Sequence, residues 1–368
     1  MNGFSDKIGI YLHIPFCKRK CPYCDFFSVC AGDDSFEKYT EQLCRSMEHF
    51  SKKYSRKADT LYFGGGTPSL IGEKRLGRLC KRAKECFGLE NAEITLEVNP
   101  EKKDIEFEEL LKSGINRLSI GLQSSDDREL RLLGRLHDSK AADRCVREAQ
   151  RAGFENISLD LMIAIPSQTD ETLLRSIEFC ASHGVKHVSA YLLKIEQGTD
   201  YFKRKDSLLL PDEDRQAEMY LSAIEKLSQY GYRQYEISNF AVPGFEGRHN
   251  LKYWHDEEYL GIGPAAHSFV DGRRFYFERS FESFDNGIVT DDGAGGDEEE
   301  FFMLGLRLAE GVTNDRYKKR FGSDIPREWI KNAVLLSKGG YTVVDDACIR
   351  LTPKGFLMSN AVITQIIS

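Results

Sequence analysis

Short apolar runs alternate with longer stretches of helical periodicity along the first 230 residues. Residues 8–12, 60–63, 93–98, 117–121, 157–162 and 187–193 have the length and the β-branched, aromatic composition of strands. Residues 36–54, 73–87, 107–112, 140–152, 170–182 and 212–230 place apolar side chains three and four apart, the spacing of one helix face. Regular strand–helix alternation predicts an α/β fold with a parallel sheet. Six units predict a partial (β/α)6 barrel, short of the eight needed for closure. The pattern then changes. "DNGIVTDDGAGGDEEE" is acidic and glycine-rich and reads as a solvated linker. After it, "EEFFMLGLRLAE" reads as a helix ending at Gly311, and "GGYTVVDDACIRLTPKGFLMSNAVITQI" as a strand pair and a final helix. The expected organisation is a barrel over 1–240, a connecting segment over 241–298, and a small winged-helix-like α+β domain over 299–368 capping the barrel mouth.

The polar residues that interrupt these patterns fall where such a barrel builds its sites, at the carboxyl ends of strands. "GGGTPS" follows the second strand, Glu97 and Asn99 close the third, and Gln123 follows the fourth. Asp160 lies late in the fifth, and Tyr191 and Lys194 end the sixth. Gly64, Gly65 and Gly66 would let backbone amides approach a small polar group, with Thr67-Pro68 turning into the next helix. Glu97 and Asp160 suit an ammonium or ribose hydroxyls, and Gln123 and Arg135 a ribose or carboxylate.

Composition narrows the class. The chain has 368 residues, 41% hydrophobic and 30% charged, with a net charge of -7 and no aromatic-basic stripe, so nucleic acid is not an expected partner. No apolar run reaches about 18 residues, and the opening "MNGFSDKIGIYLHIPF" lacks the features of a secretory leader, which reads as a cytoplasmic protein. Ten cysteines in a reducing compartment argue against a disulfide framework. Seven are scattered singly and read as small buried hydrophobes. Cys17, Cys21 and Cys24 cluster as C-x3-C-x2-C. Three thiolates suit a [4Fe-4S] cluster with one iron left open. A structural zinc site would want a fourth ligand, for which His13 or Asp25 could serve, and a redox C-x-x-C would leave Cys17 idle.

"YLHIPFCKRKCPYCDF" resembles the signature of the radical S-adenosylmethionine (SAM) superfamily. The resemblance implies that the open iron chelates SAM, whose reductive cleavage yields a 5'-deoxyadenosyl radical, and that a flavodoxin or ferredoxin supplies the electron. Beyond it, "YFGGGTPSL", "LEVNPE", "NRLSIGLQSSDDRELRLLGRLH", "ISLDLM", "HVSAYLLKIEQGT", "YEISNFAVPG", "HNLKYW" and "YLGIG" resemble the oxygen-independent coproporphyrinogen III oxidase family and, within it, the HemW-like heme chaperones. By that resemblance Cys17, Cys21 and Cys24 hold the cluster, Tyr11 and Tyr23 flank it, and Gly65, Gly66, Thr67, Glu97, Gln123, Arg135, Asp160 and Lys194 line the SAM pocket.

Two branches of the family compete. The oxidases, which decarboxylate coproporphyrinogen III to protoporphyrinogen IX, carry a further cysteine two places after the third ligand and a longer leading segment. This chain has Phe26 there and 16 residues before Cys17. The HNxxYW motif, here 249–254, is a signature of the chaperone branch, associated with heme binding. It makes His249 a candidate heme ligand, with Tyr253 and Trp254 offering flat apolar surface and with His255 and His267 as rivals. The implied partners are heme and heme-accepting proteins such as membrane respiratory cytochromes. Three positions depart from the family pattern: Ala164 and Ala265 stand where glycine is usual, and Leu192 where glutamine is.

Overall fold

Strand polarity in the computed structural model, which describes residues 7–101, 105–345 and 347–368, follows a two-residue period that decides which way each strand faces. β1 (Lys7–Ile14), β2 (Lys57–Gly65), β3 (Glu93–Val98), β4 (Arg117–Gln123), β5 (Asn156–Ile163) and β6 (His187–Leu192) pair in sequence order, all parallel. In β1, Ile8, Ile10, Leu12 and Ile14 are fully buried. At about 1.5–3 kcal/mol for each such side chain, this one face carries a large share of the strand's stabilisation. Leu118, Ile120 and Leu122 repeat the pattern in β4, as do Leu159 and Leu161 in β5. The opposite faces carry Tyr11 and His13, Thr60 and Tyr62, Glu93, Thr95 and Glu97, Arg117 and Ser119, Ser158 and Asp160, and His187, Ser189 and Tyr191. The enclosed face of the sheet is therefore polar.

The crossover helices are α1 (Asp33–Tyr54), α2 (Glu73–Phe87), α3 (Phe107–Lys112), α4 (Asp127–Leu132), α5 (Ser139–Arg151) and α6 (Asp170–Ser182). After β6 come a single turn, α7 (Asp200–Lys203), and then α8 (Glu213–Gln229). Side-chain caps set several starts: Asp138 accepts from Ala141 N, Asp212 from Arg215 N, and Thr169 with Thr172 forms a reciprocal box.

The segment 241–298 is not a connector. β7 (Arg233–Gln234) and β8 (Asn239–Ala241) extend the sheet antiparallel beyond β6. The helix holding the HNxxYW motif, α9 (Arg248–Trp254), lies under the amino-terminal ends of β2 and β3. There the Glu93 carboxylate accepts the N–H groups of Arg248 at 3.1 Å and His249 at 3.0 Å, and Lys252 pairs with Asp59 at 3.0 Å. β9 (Tyr259–Ile262) pairs parallel with β1, and β10 (His267–Val270) and β11 (Arg273–Tyr276) follow antiparallel. After α10 (Phe281–Asp285) the expected linker forms an edge strand, β12 (Thr290–Ala294), paired with β11. Its acidic side chains belong on an edge, where both faces meet water and the backbone still finds a partner. The result is one twelve-stranded sheet that does not close among the described residues.

The carboxyl-terminal domain has the expected winged-helix order: α11 (Glu298–Gly305), β13 (Val312–Thr313), α12 (Asn314–Phe321), α13 (Arg327–Ser337), β14 (Thr342–Val344), β15 (Cys348–Leu351), α14 (Pro353–Leu357) and α15 (Ser359–Ile367). It does not dock as a mouth cap. It packs against α8, α9 and residues 235–237, with Ile237 N donating to Arg307 O, Ala309 N to Tyr235 O, and Arg320 paired to Asp256 at 3.2 Å.

Candidate cluster and cofactor site

The loop leaving β1 carries the three cysteines and is pinned by its backbone. Cys17 N donates to Val29 O (3.0 Å), Val29 N to Pro15 O (2.7 Å), Cys24 N to Cys21 O (3.1 Å), and Tyr201 N to Pro22 O (2.9 Å). Phe16 anchors it by packing against Phe36, Tyr39 and Phe281. All three thiols are half-buried. Burial pushes the Cys17 and Cys24 thiols up, opposed at Cys17 by Thr67 and Ser28 and at Cys24 by the Phe26 backbone, while neighbouring thiols raise both.

Two of the thiols are joined by a chain of hydrogen bonds through Thr67 after β2, Asn99 after β3 and Arg135 after α4. The Thr67 hydroxyl donates to Cys17 Sγ at 3.8 Å, and Asn99 Nδ2 donates to Thr67 Oγ1 at 2.7 Å. Arg135 donates through Nη2 to Asn99 Oδ1 at 2.5 Å and through Nη1 to Cys21 Sγ at 3.7 Å. Gly121 makes room for this arrangement: a Cβ there would lie 2.8 Å from Asn99 Oδ1 and 3.1 Å from Arg135 Nη2. Burial works against the Arg135 charge, but Tyr23, Cys21 and Glu101 outweigh it and hold the guanidinium protonated.

Gly65 and Gly66 permit close packing against the cysteine loop and the His13 ring. Gly65 N donates to Glu97 Oε2, Gly66 N to Ile14 O, and Thr67 N to Phe16 O, so these amides are used within the chain. A Cβ on Gly66 would meet Phe16 O at 2.6 Å and Cys17 Sγ at 3.0 Å, and one on Gly65, whose φ is 116°, would meet the His13 ring at 2.6 Å.

Deeper in the enclosed face, Tyr62 donates to Glu97 Oε1 at 2.9 Å. Desolvation, then Asp160, pushes the Glu97 carboxyl up to about 7, opposed by Tyr62 and Gly65. Asp160 accepts from Ser119 at 3.0 and 3.2 Å, and burial raises it also. Tyr191 is 40% exposed although protein surrounds its ring; a side chain lining an open interior has that character. Gln123 holds φ at 66°, a left-handed conformation unusual outside glycine and a mark of a constrained site. Tyr23 lies beside Arg135 and the Cys21 and Cys24 thiols. Tyr11 instead points into the sheet interior, bonded to His13 Nδ1 at 3.0 Å. Lys194 is exposed just past β6.

His249 is not presented to a ligand. It is 1% exposed, its Nδ1 lies 2.7 Å from Thr60 Oγ1 and its Nε2 2.8 Å from Tyr253 OH. Burial, then Lys252 and Arg117, lowers its pKa to about 3. Both ring nitrogens are engaged within the chain, so in this heme-free arrangement neither lone pair faces a ligand.

The residues present fit an iron–sulfur cluster. Three thiols share one pinned loop, a hydroxyl and a guanidinium already donate to two of the sulfurs, and Gly66 keeps Cys17 clear. Asn99, Tyr62, Ser119 and Arg117 belong to the site or its support, yet residue type and position along the chain do not single them out. Asn99 shows in the sequence only as the close of the third strand. Polarity at alternate positions within each strand is the signal that finds the others.

Comparison with known proteins agrees with this geometry. Residues 11–180 match the radical SAM superfamily model, and residues 298–358 match the HemN C-terminal domain. The chain is 34% identical to the heme chaperone HemW of Lactococcus lactis over 96% of its own length and 95% of that protein's. It is 34% identical to the HemW of Bacillus subtilis over 96% and 97%, and 34% identical to that of Escherichia coli over 83% and 84%. The fold matches the Escherichia coli coproporphyrinogen III oxidase HemN, a radical SAM enzyme, with a TM-score of 0.84 over 98% of this chain and 90% of the other, at 21% identity. With relatives this similar over nearly its whole length, and with three thiols and their donors gathered from the loops after β1, β2, β3 and α4, the chain belongs to the HemW heme-chaperone family of the radical SAM superfamily.

Proposed function

We propose that the protein binds heme and delivers it to acceptor hemoproteins from the cytoplasm, with membrane respiratory cytochromes among the acceptors. The observation that carries this reading is the 34% identity to HemW chaperones across 96% of the chain, against 21% to the oxidase whose fold it shares. Phe26 supports it: where the oxidase branch carries a further cysteine, this chain presents an aromatic ring 66% exposed.

Cys17, Cys21 and Cys24 would hold a [4Fe-4S] cluster, with Thr67 and Arg135 donating to the sulfurs. When bound, that cluster supplies an electron, drawn from a flavodoxin or ferredoxin, for reductive cleavage of SAM. Glu97 and Asp160 give the enclosed face two carboxylates for the ammonium and ribose of SAM. Gln123, Gly65, Gly66 and Lys194 would complete that surface, with Tyr23 against the cysteine loop and Tyr11 behind it.

The test is product analysis. Anaerobic incubation with SAM, reductant and coproporphyrinogen III should leave the porphyrinogen intact, while the same preparation binds heme in stoichiometric amount. Decarboxylation to protoporphyrinogen IX would overturn the proposal in favour of the oxidase branch.

A further inference from the structure

The cysteine loop has two sides. Its inner side is taken by Thr67, Asn99 and Arg135, which bond two of the sulfurs and one another. Its outer side is cationic. Lys18, Arg19 and Lys20 fill the spacing between Cys17 and Cys21, and all three are exposed. Lys20 Nζ donates to Phe26 O at 2.9 Å, and its charge acts on both the Cys24 thiol and the Asp200 carboxylate.

Two neighbouring segments continue this side. α7 abuts the loop through Tyr201, whose N–H donates to Pro22 O at 2.9 Å and whose ring lies 6.2 Å from that of Tyr23. Lys203, Arg204 and Lys205, at its end and just beyond, are exposed. The turn after α4 is tied on by Arg19 Nη2, which donates to Gly134 O at 2.6 Å, and by Tyr201 OH, which donates to Leu132 O at 2.6 Å. Of the carboxylates nearby, Asp25 is paired to Arg279 at 3.0 Å and Asp200 to Lys203 at 2.8 Å. Glu101 acts inward, on Cys17 and Arg135, and Asp206 stands beside the lysines. The whole chain carries a net charge of -7, so this face locally reverses the average. Four apolar side chains are exposed on the same segments: Phe26 at 66%, Leu136 at 46%, Leu132 at 38% and Phe202 at 37%.

We propose that this face, formed by the outer side of the cysteine loop, α7 and the turn after α4, docks a small acidic electron-transfer protein that reduces the cluster. This rests on the cluster reading above and names where its electron enters. The step is a transfer of one electron from the reduced donor to the cluster, with no bond formed or broken. A protein donor must bring its own redox centre close to the sulfurs, and the exposed side of the loop is the approach that Thr67, Asn99 and Arg135 leave clear.

Charge selects the partner. An acidic protein is repelled by the chain's average and attracted at this face, so the field turns it towards the loop during approach. The mixture of cations with a few apolar side chains suits a brief encounter. Electron-transfer complexes fall in the small size class, below about 1,200 Å2 of buried surface, and a donor has to leave after each electron.

Reduction kinetics of the reconstituted full-length chain test this, with reduced flavodoxin as the protein donor, dithionite as the small-molecule control, and the cluster's absorbance as readout. Lys203→Glu with Lys205→Glu should lower the second-order rate constant for flavodoxin by about tenfold or more at low salt. The difference should shrink as salt approaches about 1 M, where the screening length is about 3 Å. Reduction by dithionite should change little. Lys318→Glu with Lys319→Glu, the same change in net charge placed on α12, should leave the flavodoxin rate near that of the wild type. Iron and sulfide content reports folding, and the Lys203→Gln, Lys205→Gln pair is read instead if the glutamate pair loses its cluster. An unchanged rate in the folded α7 variant, or an equal loss in both pairs, overturns the proposal and leaves the cluster reading standing. So does a wild type that dithionite reduces and flavodoxin does not. Slower heme transfer to an acceptor in the α7 variant, with flavodoxin reduction intact, overturns it in favour of acceptor docking. A chain that assembles no cluster overturns the cluster reading itself.

Discussion

Replacing Glu97 by glutamine should separate stability from ligand binding. In the ligand-free protein, burial and Asp160 raise this carboxyl from 4.5 to about 7. A raised folded-state pKa means that the folded chain holds the extra proton between pH 4.5 and 7, where the unfolded chain has released it. Stability therefore falls as pH rises through that window and remains lower above it. At 1.36 kcal/mol per pKa unit, the cost above pH 7 is about 3 kcal/mol. Glutamine carries no charge to desolvate and can bond both Gly65 N–H and Tyr62 OH, so Glu97→Gln should recover about 2–3 kcal/mol at pH 8.5 and almost nothing at pH 5. Urea unfolding of the anaerobic, SAM-free protein at the two pH values measures this. The same substitution should weaken SAM binding by about 1–3 kcal/mol through loss of a charged partner for the ammonium, and wild-type affinity should fall as pH drops below about 7. An equal effect of the substitution at both pH values would refute the account of Glu97 as a buried, ligand-seeking carboxylate.

Other expectations are more compact. Alanine at Cys17, Cys21 and Cys24 together should abolish retention of iron and sulfide after anaerobic reconstitution, assayed chemically; retention would remove the cysteine loop from the site. Thr67→Val, and Asn99→Ala which frees both Thr67 and Arg135, should leave iron content unchanged but move the cluster's midpoint potential to more negative values, because hydrogen bonds to sulfur favour the reduced, more negative state. Ala265 and Ala164 hold φ at 64° and 65°, where a methyl side chain costs about 1–2 kcal/mol. Ala265→Gly, at a half-buried site, should stabilise the protein slightly by thermal melting. At the 1% exposed Ala164 the lost methyl burial of about 0.8 kcal/mol should cancel most of the gain.

The barrel core was legible because its outward face obeys a strict alternation: the two-residue spacing of Ile8, Ile10, Leu12 and Ile14 alone marks them as one buried stripe. The departures at 164 and 265 were legible for a related reason, since a position that usually carries glycine often needs a left-handed backbone, and both have one. The sheet extension was not. β9 to β11 are four residues each and β12 is an acidic edge, too short and too exposed to show a period. The site was readable as a set of residue types at strand ends, but not in its connections. Asn99 reaches partners 32 and 36 positions away, and Glu93 holds the first turn of α9 across more than 150 positions. His249 shows the limit best. Its motif specifies a histidine at a fixed spacing, while the burial of that histidine depends on Thr60 from a distant strand.

Heme transfer itself tests the central claim most directly. Protein loaded with one equivalent of heme, freed of excess, is mixed anaerobically with a heme-free acceptor cytochrome, and the acceptor's own absorption bands are followed with time. The account predicts that heme moves from the chain to the acceptor faster than from an equal concentration of free heme, with no porphyrinogen chemistry in parallel. Heme that stays on the chain, or transfer no faster than from solution, would contradict it.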